Sequence, residues 1–204
     1  MSIRPAGVRA MSVICCSTAW VVVQAGPVQA VEASKVLRIR SVEARRLSSP
    51  KLRTSNPGAG SSEDWRRLTT EYQTAPEWMD DLAITYFVLL RPDPKKSGIR
   101  DGRSGFLLLR GQSRYVNLKK GRHISEMYIH PSTIERFGGI ERIGVVFKTK
   151  GRLLSTESEP ESQAGWWEKL SPIDGLILSR DATPFGAVSP DHYEATLSRT
   201  PGAR

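Results

Sequence analysis

The sequence predicts an all-β fold, an antiparallel sandwich or barrel. Three observations carry this. Short apolar runs rich in β-branched and aromatic residues recur along the chain. Clusters of Gly, Pro, Asn and Ser separate them. No amphipathic stretch is long enough to serve as the crossover helix that parallel strands need.

In order, residues 36–44 place Leu37 and Ile39 on one face, then Val42 and Ala44 on the other, a phase change that predicts a bulge. Residues 48–64, rich in Ser, Pro, Gly and Asn, predict a long loop. Residues 65–74 alternate, with Leu68, Thr70 and Tyr72 opposite Arg67, Thr69 and Glu71. The strongest strand covers 82–90: Ile84, Tyr86 and Val88 face one way, Thr85, Phe87 and Leu89 the other, so both sides are expected to be covered. A second loop, 91–105, is punctuated by prolines and glycines. Residues 106–109 and 115–118 are expected to pair across Gly111. A strand over 124–130 follows Lys120-Gly121. Another, 143–149, turns at Lys150-Gly151 into 152–156. Residues 156–165 form a third loop. Two short helical pieces are expected, 131–137 with Pro131 at its first position, and 163–170.

The N-terminus has the three parts of a secretory signal. Arg4 and Arg9 are the only charges before Glu32, residues 10–23 are apolar, and Gly26-Pro27 precedes the small-residue triplet Val28-Gln29-Ala30. The apolar stretch is shorter than the roughly 20 residues needed to span a bilayer. Cleavage is expected after Ala30, with Ala33 as the alternative, leaving no transmembrane anchor. The predicted organisation is a signal over 1–30, one sandwich domain over 31–197 and a frayed tail over 198–204. Cys15 and Cys16 lie inside the apolar segment, and neither follows a small residue as a lipidated cysteine would. The exported chain would then hold no cysteine, which excludes disulfides, thiolate metal sites and cysteine nucleophiles.

Net charge is +9, and loss of Arg4 and Arg9 leaves +7. A basic surface that prevents self-association explains this without a ligand, and attraction to an acidic glycan is the functional alternative. No nucleic acid is expected, since no dense block of like charge follows the signal.

Catalytic patterns are sparse. There is no phosphate-cradling glycine loop and no G-x-S-x-G elbow. His123 and His130 are seven residues apart, an odd offset that points them to opposite faces of a strand, and His192 is distant. Asp80-Asp81 also diverge, and read as the polar start of the strong strand. No cofactor, metal ligand or catalytic residue is assigned, and the protein is expected not to be an enzyme. A hydrolase using two carboxylates not marked by any motif is the remaining catalytic reading. The doublet Trp166-Trp167 has two readings. On a strand one ring would face outward as a stacking platform; otherwise both rings pack, one in the core and one under a loop, and packing is favoured.

Four C-terminal segments form a recognisable order: Gly165-Trp166-Trp167-Glu168-Lys169-Leu170, Ile173-Asp174-Gly175-Leu176-Ile177-Leu178, Ala182-Thr183-Pro184-Phe185-Gly186 and Asp191-His192-Tyr193-Glu194-Ala195. With residues 82–90 and 127–137, this resembles a family of small exported proteins associated with type IV pilus genes. The resemblance extends from about Val36 to Glu194. It implies an immunoglobulin-like β-sandwich, no enzyme activity and a role in a pilus system or at the cell surface. Within it, Thr183-Pro184-Phe185 would fix a turn and plug a ring into the core, and Tyr193 would hydrogen-bond backbone at a corner. A filament subunit would keep a long apolar N-terminal helix. This chain's removable segment therefore implies an accessory or adhesion protein in the periplasm, on the surface or secreted. Its expected partner is a protein of a pilus or envelope assembly, reached through a sheet edge. Residues 91–103, rich in Arg, Lys and Pro, are expected to guard another edge. No oligomeric state follows from the sequence.

Overall fold

A computed structural model describes residues 36–50, 64–92 and 105–187. The predicted signal, most of the two long loops, His192, Tyr193 and the C-terminal tail lie outside them. The described residues form an all-β sandwich of two sheets. Sheet A has the order β1-β2-β5-β9, and sheet B the order β7-β6-β3-β4-β8. The strands are β1 (Leu37–Ser48), β2 (Asp64–Met79), β3 (Leu82–Arg91), β4 (Leu107–Tyr115), β5 (Leu118–Ile129), β6 (Gly139–Thr149), β7 (Arg152–Glu159), β8 (Ile173–Asp174) and β9 (Ile177–Ser179). All pairs are antiparallel except the two-residue β4–β8 contact. Among the described residues no helix is long and apolar enough to cross a membrane.

The period of two sets the core. Leu68 and Tyr72 of β2, and Leu82, Ile84, Tyr86, Val88 and Leu90 of β3, point inward and are buried. Met127 and Ile129 of β5, and Ile143, Val145 and Phe147 of β6, meet them. Inside this apolar layer lies a small polar network. Tyr86 donates to the Ser125 carbonyl at 3.2 Å, and Tyr115 donates to Ser125 Oγ at 2.8 Å. His123 Nε2 sits 2.8 Å from the Lys119 carbonyl and must carry a proton there. Thr74 Oγ1 is 3.0 Å from the same nitrogen and accepts from Gly121 N–H at 3.2 Å. Each hydroxyl named thus has a partner, as burial requires.

Several expected elements are found. β1 has its irregularity between Ile39 and Ser41. The β6–β7 hairpin turns at Lys150-Gly151, both at positive φ. Helix α1 (Pro131–Phe137) begins with the proline and is capped by the His130 ring, which accepts from Ser132 N–H. β7 continues to Glu159, so the third loop is shorter than 156–165.

Two expectations are corrected. Residues 106–109 and 115–118 do not pair across Gly111: β4 runs straight through it, and the chain turns at Val116-Asn117, with Asn117 at φ 55°. Lys120-Gly121 is no boundary either, because β5 passes through it opposite an irregularity in β2 between Thr74 and Trp78. Of residues 91–103 only Arg91, the last residue of β3, and Pro92 are described, so the expected guarding of an edge by this segment lies outside the described residues.

Candidate functional site

On one side of the sandwich the chain crosses from sheet to sheet and closes it; on the other, the open side, the two edge strands lie against each other without pairing among the described residues. On the closed side the chain leaves β8 in sheet B and enters β9 in sheet A across Gly175-Leu176, capping both sheets with short strands. Gly111 permits this. A Cβ there would lie 2.6 Å from Ile177 Cβ, so only glycine lets β9 lie so near β4. Arg110 clamps β8 with two bonds to Asp174, at 2.7 and 2.6 Å.

On the open side the long strands β1 and β7 are the sheet edges, each paired on one flank only among the described residues. Between them is a cleft of about 260 Å³ lined by Ile39, Arg40, Ser41, Val42, Glu157 and Glu159. Glu157 and Glu159 are two apart on β7 and point the same way. They share one wall, and the opposite wall contributes Arg40 but no acid. Main-chain groups on a long unpaired edge are what an added strand needs.

The conspicuous aromatic motif is elsewhere. Trp166 and Trp167 lie in a 3-10 turn (Trp166–Lys169), not on a strand. The alternating in-and-out geometry therefore does not apply. Trp167 is buried on the outer face of sheet B, stacked on Phe87 at 5.2 Å and 6°. Gly144 makes room beneath it: a Cβ would come within 2.5 Å of the indole. Trp166 meets Trp167 edge-on at 5.4 Å, donates to Ser158 Oγ at 2.8 Å and lies under the Arg142 guanidinium. Both rings pack, with Trp167 on an outer face rather than between the sheets.

Thr183, Pro184 and Phe185 lie on the outer face of sheet A. Phe185 is buried against Trp65 and Tyr128, stacked on the tyrosine at 5.0 Å and 11°. Thr183 Oγ1 donates to the Arg180 carbonyl and accepts from Phe185 N–H, tying two 3-10 turns together. This pins the segment after β9 across β2 and β5. The structure does not join the tryptophan pair and the T-P-F turn into one site: they cover opposite faces.

Of the candidate carboxylates and histidines, Asp81, His123 and His130 are engaged in the fold, while Asp80 is exposed at the turn between β2 and β3. Asp81 accepts from Arg114 and from Lys150 N–H, and these bonds, the arginine's first, hold its carboxyl below the usual aspartate range. His123 is buried in the core network, and His130 caps α1 and meets Trp65 edge-on at 4.7 Å. Among the described residues no group of His, Cys, Asp and Glu could hold a metal ion.

A family model matches residues 28–200. The chain belongs to that family. It is a pilus-related family and points to a protein of the cell surface. A solved structure from Akkermansia muciniphila has the same fold, with TM-score 0.65 and 18% identity over 80% of this chain and 94% of that one. No curated protein matches the chain. The family match includes the C-terminal segments whose residues cover both sheets and close one side of the sandwich. The described part of that C-terminal motif thus helps build the fold. The open side had no comparable signal, because strand order is not written in any local pattern.

Proposed function

We propose that this protein is exported and works as an accessory or adhesion component of a type IV pilus or envelope assembly, acting through protein contact rather than catalysis. Membership of the pilus-related family carries the reading. The open side favours contact through β1 and β7, whose unpaired edges flank the cleft. On this reading the cleft receives a partner's chain instead of a reacting small molecule. Pull-down from membrane and periplasmic fractions with the exported chain as bait tests it. Recovery of pilus secretin, alignment or assembly components is the expected result. Recovery of no envelope protein, or an intact N-terminus on protein found in the cytoplasm, would overturn it.

A further inference from the structure

The outer face of sheet A carries a feature that contact through the open side does not use. Trp78 is 58% exposed, near the end of β2, where the β2–β5 pairing is irregular. An indole this open on a sheet serves no core. Its cross-strand partner is Lys119 of β5, so their Cβ atoms are about 5 Å apart. The next ordered row crosses three strands: Arg38 of β1 pairs with Gln73 of β2, and Gln73 pairs with Arg122 of β5. Both arginines are exposed. With neighbouring strands about 4.8 Å apart, they stand about 10 Å from each other across Gln73. Arg40 reaches the same Gln73 side chain by a hydrogen bond. Lys120, also exposed, extends the patch. The acids nearby are Glu77, beside Trp78, the exposed Asp80, two residues beyond it in the chain, and Glu71, one row further on.

We infer that this face is a binding surface for an acidic polysaccharide. The flat, open indole supplies an apolar platform for a sugar ring, while Arg38, Arg122 and Lys119 meet sulfate or carboxylate groups spaced along the chain. The arginine separation is about that of charges on successive disaccharides. Cations on β1 and β5, spread across the intervening β2, suit an extended polyanion better than one compact anion. Arg38 stands on the edge strand β1 and Arg40 also lines the cleft, but Trp78, Lys119 and Arg122 lie on β2 and β5, which the contact proposed above does not use, so the Trp78 and Arg122 variants test the inference separately from it.

Heparin binding by the full exported chain tests it, using the salt needed for half-elution and titration in solution. Wild-type protein is expected to bind at low salt and release as salt rises. Trp78→Ala should weaken binding about three- to ten-fold, and Arg38→Gln and Arg122→Gln about five-fold each. Lys169→Gln removes the same charge from an exposed site in the Trp166–Lys169 turn over sheet B and should change binding little. Absence of low-salt binding would overturn the inference. So would arginine variants that behave like Lys169→Gln, or a Trp78→Ala variant, folded by circular dichroism, that binds like wild type. Tighter binding to phosphatidylglycerol vesicles than to heparin would assign the face to a lipid surface instead. Should Trp78→Ala fail to fold, the two exposed arginines decide alone.

Discussion

Gly144 and Trp167 should behave as one packing unit. In Gly144→Ala the new methyl would lie 2.5 and 2.6 Å from two carbons of the indole, and 3.3 Å from Trp166. The indole is a rigid body stacked on Phe87, so it must leave that stack or push β6 aside. Overpacking of this kind costs about 1–3 kcal/mol. Trp167→Ala alone should cost about 3 kcal/mol, since the ring is buried over Phe87, Leu108 and Val146. Combined, the two contacts with Trp167 disappear and only the 3.3 Å approach to Trp166 is left, which a shift of a few tenths of an ångström relieves. On the Trp167→Ala background, Gly144→Ala should be neutral or stabilising by roughly 0.5–1 kcal/mol, because alanine restricts the unfolded backbone more than glycine. The double-mutant cycle therefore predicts a coupling of about 1–3 kcal/mol. Urea unfolding followed by far-UV circular dichroism measures it without depending on tryptophan fluorescence. Additive effects would refute the argument. They would mean that the tryptophan does not rest on Gly144, and would reopen the reading of Trp167 as an exposed platform.

Other outcomes follow from the same geometry. Gly111→Ala should displace Ile177 and free β9 from sheet A, seen as faster amide exchange and proteolysis near Ile177–Ser179 with most of the sandwich intact. Phe185→Ala should cost about 3 kcal/mol by emptying the space between Trp65 and Tyr128, read as a lower urea midpoint. Asp81 has its carboxyl pKa lowered in the fold, so its contribution is present above the unfolded value of about 3.9 and is lost as pH falls through the lower folded value. Asp81→Asn should flatten that acid limb in a stability–pH series. Burial raises the Tyr86 pKa, so its stabilisation is present below the unfolded value near 10 and falls as pH rises beyond it. Tyr86→Phe should make alkaline unfolding less steep.

What the sequence reveals depends on how local its cause is. The hairpin at Lys150-Gly151 and the start of α1 at Pro131 are set by neighbouring residues, and both are legible. Gly111 misleads because its reason lies 66 residues away at Ile177: it reads as a turn but serves a close approach inside a strand. Gly144 has a similar distant reason in Trp167. The tryptophan doublet is visible, yet its placement depends on a 3-10 turn that follows the loop after β7. The open side is the least legible part. Nothing within residues 37–48 or 152–159 says that these two strands lie at the edges, since strand order is fixed by long-range pairing. Trp78 stands out only once its burial is known.

The proposed function depends on contact through the open side. Site-specific photo-crosslinking in the cell envelope tests it most directly, with the probe placed at Ser41 on β1, at Glu157 on β7, and at the exposed Gln112 on the outer face of sheet B. A pilus or envelope component should be captured from Ser41 and Glu157 and not from Gln112. Capture from Gln112 alone, or equal capture from all three positions, would contradict it.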